Sequence, residues 1–146
     1  MSQALPASRH LQSAAYAAAV ACGPAGAWLA LQIGLGLRPA GCTPVAWITL
    51  LLIAPVAEET VFRLGLQQAL LKRSKLHWGA LSLANAVVAL AFAALHALHQ
   101  GSVWMLLTIA PALLLGWLWE LSGGRLRLPV LFHAWFNLCL VLASCR

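Results

Sequence analysis

Five runs of apolar residues, each parted from the next by basic or turn-forming residues, decide what this chain can fold into. Of 146 residues, 62% are hydrophobic and only 8% charged, with a mean hydropathy of +0.87. Soluble domains carry roughly a quarter charged residues, and a water-soluble fold of this length cannot hide so much apolar surface. A bilayer can, because it is itself the apolar solvent. Lipid offers no partner to an unpaired backbone group, so each run must be helical. The expected fold is all-α: a polytopic transmembrane bundle of about five spans, forming one integral-membrane domain over 1–146.

The runs predict spans over Ser13–Leu37, Val45–Leu71, Gly79–Leu98, Val103–Leu121 and Pro129–Ala143. A span takes about 20 residues, so the second is long and the fifth short. Arg38-Pro39-Ala40-Gly41, Lys72-Arg73-Ser74-Lys75, Gln100-Gly101-Ser102 and Ser122-Gly123-Gly124 punctuate them, and Pro129 suits a first helical turn. The Leu11–Leu37 run exceeds the roughly 7–15 apolar residues of a signal peptide and reads as a retained span. Arg9, Lys72, Arg73, Lys75, Arg125 and Arg127 collect on one side, Arg38 and Arg146 on the other. By the positive-inside rule the first side, with the N-terminus, is cytoplasmic. No basic-aromatic stripe is visible, and no nucleic-acid partner is expected. Of the four cysteines, Cys22 and Cys139 read as small apolar fillers. Cys42 and Cys145 share the outer side, where a disulfide between them is an open alternative.

Acidic residues are the misfits. Glu58 and Glu59 stand about 20 Å from the outer end of the second span at 1.5 Å per residue. Each buried charge there costs about 3 kcal/mol on insertion scales, which makes it a functional-site candidate. Glu59 and Arg63 are four apart and share a face. Glu58 points about 100° away from them. Pro55 removes a backbone donor one turn earlier. Span three ends in Phe92-Ala-Ala-Leu-His96-Ala-Leu-His99, and span five carries His133 and Asn137 on one face. Glu120 reads as an interfacial charge near Arg125 and Arg127, and Asn85 as interhelical hydrogen-bonding glue.

These groups suit hydrolysis of an amide inside a membrane. A carboxylate that has lost its water is a stronger base than one in bulk solvent, and can take a proton from a water molecule. An adjacent His can orient that water or pass the proton on. His and Asn on another helix can stabilise a tetrahedral oxyanion.

Glu-Glu-x-x-x-Arg at Glu58–Arg63, Phe-x-x-x-His at Phe92–His96 and His-x-x-x-Asn at His133–Asn137 resemble the three motifs of the CPBP family. This is the Abi/CAAX-protease group of intramembrane proteases, similar to the type II CAAX prenyl endopeptidases. The resemblance covers about 45–142, with the motifs in order on separate apolar helices. It implies a glutamate-dependent endopeptidase, with Glu58 as general base and His96 as the second catalytic group. His133 and Asn137 become the oxyanion pair, and Glu59, Arg63 and Phe92 supporting residues. It also implies no cofactor, and a membrane-anchored protein substrate in the bilayer. The chain is shorter than larger members. It looks closest to the small proteases of bacterial C-terminal sorting systems of the JDVT-CTERM type, which points to the bacterial inner membrane and a C-terminal signal as target.

Three rivals stand beside this reading. Glu58, His96 and His133 supply zinc-type ligands, although no His-Glu-x-x-His is present. A buried Glu/His set also suits a proton-coupled transporter or channel subunit, though paired halves are lacking. A non-catalytic interaction protein on the same fold is the third. Depth sets a geometric test. Glu58 and His133 lie about 10 Å and 6 Å from the inner boundary, His96 about 25 Å. They meet only if span three starts later, with Leu76–Ala86 partly in the inner interface and the Gln100–Ser102 hairpin below the outer surface.

Overall fold

The computed structural model describes residues 9–34 and 42–145. Five helices in it are long and apolar enough to cross a membrane. They are α1 (Arg9–Gln32), α2 (Pro44–Arg73), α3 (Leu83–Gln100), α4 (Val103–Leu121, opening as a 3₁₀ turn) and α5 (Arg127–Ser144). The chain is thus an integral-membrane helical bundle. The Leu37 end of the first predicted span, the Arg38–Gly41 punctuation and Arg146 lie outside the described residues.

Span three starts at Leu83, four residues later than Gly79. The intervening chain folds into a two-stranded hairpin, β1 (His77–Trp78) against β2 (Leu81–Ser82), which the sequence reading missed. The Ser82 hydroxyl accepts the Asn85 N–H at 2.9 Å and caps α3, so the helix begins where a capping residue permits. At the other end Gly101, with φ of 63°, closes α3 in the left-handed conformation that glycine takes without strain.

α2, α3, α4 and α5 surround one interior, and α1 packs against α4 and α5 from outside. The face that α1 buries is a stripe of small residues four apart: Ala15, Ala19, Gly23 and Ala27. Small side chains let helix backbones approach closely where lipid supplies no hydrophobic drive. A Cβ at Gly23 would lie 2.5 Å from Trp135 Nε1 and 3.0 Å from Cys139 Sγ.

Two prolines leave carbonyls without a helical donor, and α5 supplies both replacements. Pro24 lies inside α1 and has no N–H for Val20 O. Trp135 Nε1 donates to that oxygen at 3.0 Å. In α2 the Ala54 N–H reaches Thr49 O, a π-helical step, so the next such step falls on Pro55 and leaves Leu50 O bare. Asn137 Nδ2 donates to Leu50 O at 2.7 Å.

α2 is not a regular α-helix. π-helical turns span Thr49–Ile53 and Thr60–Gln67 and bracket the turn that carries both glutamates. Each begins at a threonine whose hydroxyl donates to the carbonyl four residues back, Thr49 to Val45 O and Thr60 to Val56 O. Such back-bonding loosens a helix locally. The looser winding keeps Pro55, Glu59, Arg63 and Gln67 buried on one face. Across the eight residues from Glu59 to Gln67 an ideal α-helix drifts about 80°.

A disulfide joins Cys42, just before α2, to Cys145, just after α5, closing a ring across a sequence separation of 103. Cys22 and Cys139 are free and half-buried.

Gly23→Val should force α1 from α5 and cost about 1–3 kcal/mol, because the site is already packed. Gly26→Val should cost far less, since nothing lies within 4 Å of a Cβ there. Thermal midpoints in detergent of the two variants distinguish the cases, and equal midpoints would contradict the packing.

Candidate active site

The depth conflict resolves in the interior. Glu58 Oε2 lies 4.0 Å from His96 Nε2 and 3.7 Å from His133 Nε2. Three groups from α2, α3 and α5 therefore meet. The later start of α3 is part of how they do so.

Both imidazoles are aimed by their other nitrogen. His96 Nδ1 is 3.0 Å from Phe92 O, and a carbonyl only accepts, so Nδ1 carries the hydrogen. The neutral ring then presents a lone pair at Nε2 toward Glu58. His133 Nδ1 is 2.8 Å from Glu59 Oε1. Glu59 Oε2 takes the Arg63 Nε–H at 2.7 Å, both side chains being fully buried, so Glu59 is the carboxylate of an ion pair and accepts at both oxygens. Phe92 stacks on His96 with ring centroids 4.1 Å apart and meets His133 edge-on at 6.1 Å. It thus packs an apolar ring against both imidazoles.

The adjacent glutamates differ in company. Glu59 is fully bonded. Glu58 Oε2 is buried with no hydrogen-bond partner, although its side chain as a whole is 30% exposed. A buried polar oxygen left unpaired costs free energy, about 1–3 kcal/mol for a neutral group and more for a charged one, and such groups concentrate where chemistry is done. His96 is 27% exposed and His133 9%, so the cluster is reachable from one side and closed on the other.

The closed side is a chain of polar contacts that the sequence reading did not foresee. Arg63 Nη1 donates to Gln67 Oε1 at 3.0 Å and Nη2 to Ala112 O at 3.0 Å. Gln67 Nε2 donates to Gly116 O at 3.2 Å and to Glu120 Oε1 at 2.6 Å. Ser82 Oγ donates to the same Glu120 oxygen at 2.6 Å. Glu120 is therefore not a free interfacial charge but the end of this chain, bonded to α2 and to the cap of α3. Asn85 Nδ2 donates to Leu113 O at 2.8 Å, the interhelical bond expected of it. Gly116 makes the close approach possible: a Cβ there would collide with the Asn85 amide and stand 2.9 Å from Arg63 Nη1. Gln67 was overlooked because a lone Gln carries no chemistry. Its place four residues after Arg63, on the Glu59 face, was the available signal.

Asn137 sits on the α5 face expected of it, but its Nδ2 bonds Leu50 O rather than Glu58 or His96. As for zinc, among the described residues no group of three or more His, Cys, Asp or Glu is arranged to hold a metal ion.

A helical membrane bundle that gathers a carboxylate and two imidazoles in its interior has the makings of an integral-membrane hydrolase. The model of the type II CAAX prenyl endopeptidase Rce1-like family matches residues 40–139, and the chain belongs to that family of membrane proteases. No curated protein and no solved structure was found to match it.

Arg63→Leu should destabilise the fold by about 3–5 kcal/mol, because it strands a buried Glu59. Adding Glu59→Leu should restore a large part of that loss, since the stranded charge is then gone. Unfolding in mixed detergent measures the cycle, and a double variant no more stable than Arg63→Leu would refute the pairing account.

Proposed function

We propose that this chain is a glutamate-dependent intramembrane endopeptidase that processes membrane-anchored proteins at a C-terminal sorting signal. The observation that carries this reading is Glu58 Oε2, buried, unbonded and facing two imidazole Nε2 atoms at 3.7 and 4.0 Å. A water molecule that bridges carboxylate and imidazole fits gaps of that length.

In this reading Glu58 takes a proton from the water as its oxygen attacks the scissile carbonyl carbon. The carbonyl oxygen becomes an oxyanion. His133 is held by Glu59 through Nδ1–H, and when protonated it presents Nε2–H to that oxyanion. Asn137 Nδ2 has a second N–H, which is the one left for the same task. His96 relays the proton from Glu58 to the leaving nitrogen as the C–N bond breaks. The proton left on the attacking oxygen passes to the amine as well, so the products are a carboxylate and an ammonium, and the resting groups are restored. Glu59 and Arg63 position His133, and Phe92 holds the His96 ring. The mechanism uses side chains alone.

A proton-conducting alternative finds less support. The polar chain from His133 toward Glu120 passes through the Arg63 guanidinium, which offers hydrogen-bond donors and no acceptor and so interrupts a relay. We place the protein in a bacterial inner membrane with its N-terminus cytoplasmic, from the side on which Lys72, Arg73, Lys75 and Arg125 collect.

Protein reconstituted with candidate C-terminal signal substrates tests the mechanism. Glu58→Gln should lower cleavage at least about 100-fold, the scale of a lost general base, with the thermal midpoint unchanged. His96→Ala should fall by a similar factor. Cleavage that survives Glu58→Gln would overturn the glutamate mechanism, and loss of cleavage on adding a chelator would overturn its metal-free form.

A further inference from the structure

The three site groups mark one depth, and the helices rise from it unequally. α2 continues fourteen residues from Glu58 to Pro44, about 21 Å, and α5 eleven residues from His133 to Ser144, about 16 Å. α3 stops at Gln100, four residues past His96, about 6 Å. The Cys42–Cys145 disulfide confirms that α2 and α5 end together. The wall made by α3 and α4 therefore stops about 10 Å short of the wall made by α2 and α5. The rim of the low wall is apolar and exposed, at Leu98, Val103 and Trp104. Such a rim belongs in hydrocarbon or at its boundary rather than in water.

In the opposite direction the interior is shut. Glu59, Arg63 and Gln67 are fully buried beneath Glu58, bonded across to Ala112, Gly116 and Glu120. Glu58 and His96 keep 30% and 27% side-chain exposure, and with the layer beneath them filled, the low wall is the shortest way in.

We propose that substrate reaches Glu58 only from the disulfide-bearing face, over the sunken Gln100–Ser102 turn, and that this face is extracytoplasmic. Disulfides persist in oxidising compartments, and the basic cluster Lys72, Arg73, Lys75 and Arg125 lies at the other face. The route stands on geometry alone; the occupant rests on the protease reading. A peptide bond within a helix has its carbonyl and N–H engaged, and attack needs them free. The segment that fits is the unwound outer end of a substrate's anchoring helix, where the chain leaves the bilayer. The gap above the low wall admits that junction while the anchoring helix below it stays in lipid.

Cysteine labelling tests the route without cleavage. In a Cys22→Ser, Cys139→Ser background, Glu58→Cys and, separately, Lys75→Cys are treated with a membrane-impermeant maleimide in sealed right-side-out and inverted vesicles. Retention of the Cys42–Cys145 bond on non-reducing gels certifies the fold, and His96→Cys replaces Glu58→Cys if that bond is lost. Glu58→Cys should label at least tenfold faster in right-side-out vesicles, and Lys75→Cys at least tenfold faster in inverted ones. Labelling of the site cysteine from the Lys75 side, or from neither side, overturns the route. Failure of the protease reading would appear separately, as cleavage that survives Glu58→Gln.

Discussion

Everything in the interior depends on the ion pair between Glu59 and Arg63. Two charges at full burial in a bilayer are tolerable only if each hydrogen-bonding position is filled. Glu59 has two oxygens to satisfy and Arg63 a fork of donors. Filling them draws in His133 from α5, the Ala112 carbonyl from α4 and Gln67 from the next turn of α2. Gln67 in turn brings Glu120 and the Ser82 cap of α3. One buried pair thus obliges four helices to adopt a single arrangement. Removing either partner would leave the other uncompensated, which is how a costly feature comes to specify a structure.

The same accounting governs the backbone. A membrane helix that contains proline exposes a carbonyl to a medium with no donors. Here Trp135 and Asn137, two residues apart on α5, answer Pro24 of α1 and Pro55 of α2. These bonds fix the height of α5 against both neighbours. Height matters because His133 lies two residues before Trp135 and must reach Glu58 and Glu59 together. The π-helical turns of α2 make the complementary adjustment, keeping Glu59, Arg63 and Gln67 on one face.

Hydropathy made five spans legible, because lipid demands long apolar runs. Val103–Leu121 was read to the residue, and α5 was read short by two residues at its start. The start of α3 was misread because Gly79–Ser82 is as apolar as the helix it precedes, and only the Ser82 cap separates them. The pairing of Glu59 with Arg63 was legible, since four-residue spacing places them on one face. That Glu58, His96 and His133 converge was legible only as a conditional, because depth along separate helices is not written in any one of them. The role of Glu120 was misjudged: its partners Gln67 and Ser82 are 53 and 38 residues away, and nothing local announces them. Asn137 was read from its four-residue spacing to His133 and from its motif, while its bond to Leu50 depends on a π-helical step that no composition reveals.

The Cys42–Cys145 bond has one more consequence. It encloses α2 through α5 and so every residue of the site within one covalent ring. A protease packed among its own copies in a membrane risks cutting a neighbour's loops. A single cut anywhere in this ring opens it to a linear chain that is still joined at the disulfide. No fragment is released, and the helices stay tethered at the Cys42–Cys145 bond, so a nicked molecule keeps its pieces within reach of one another.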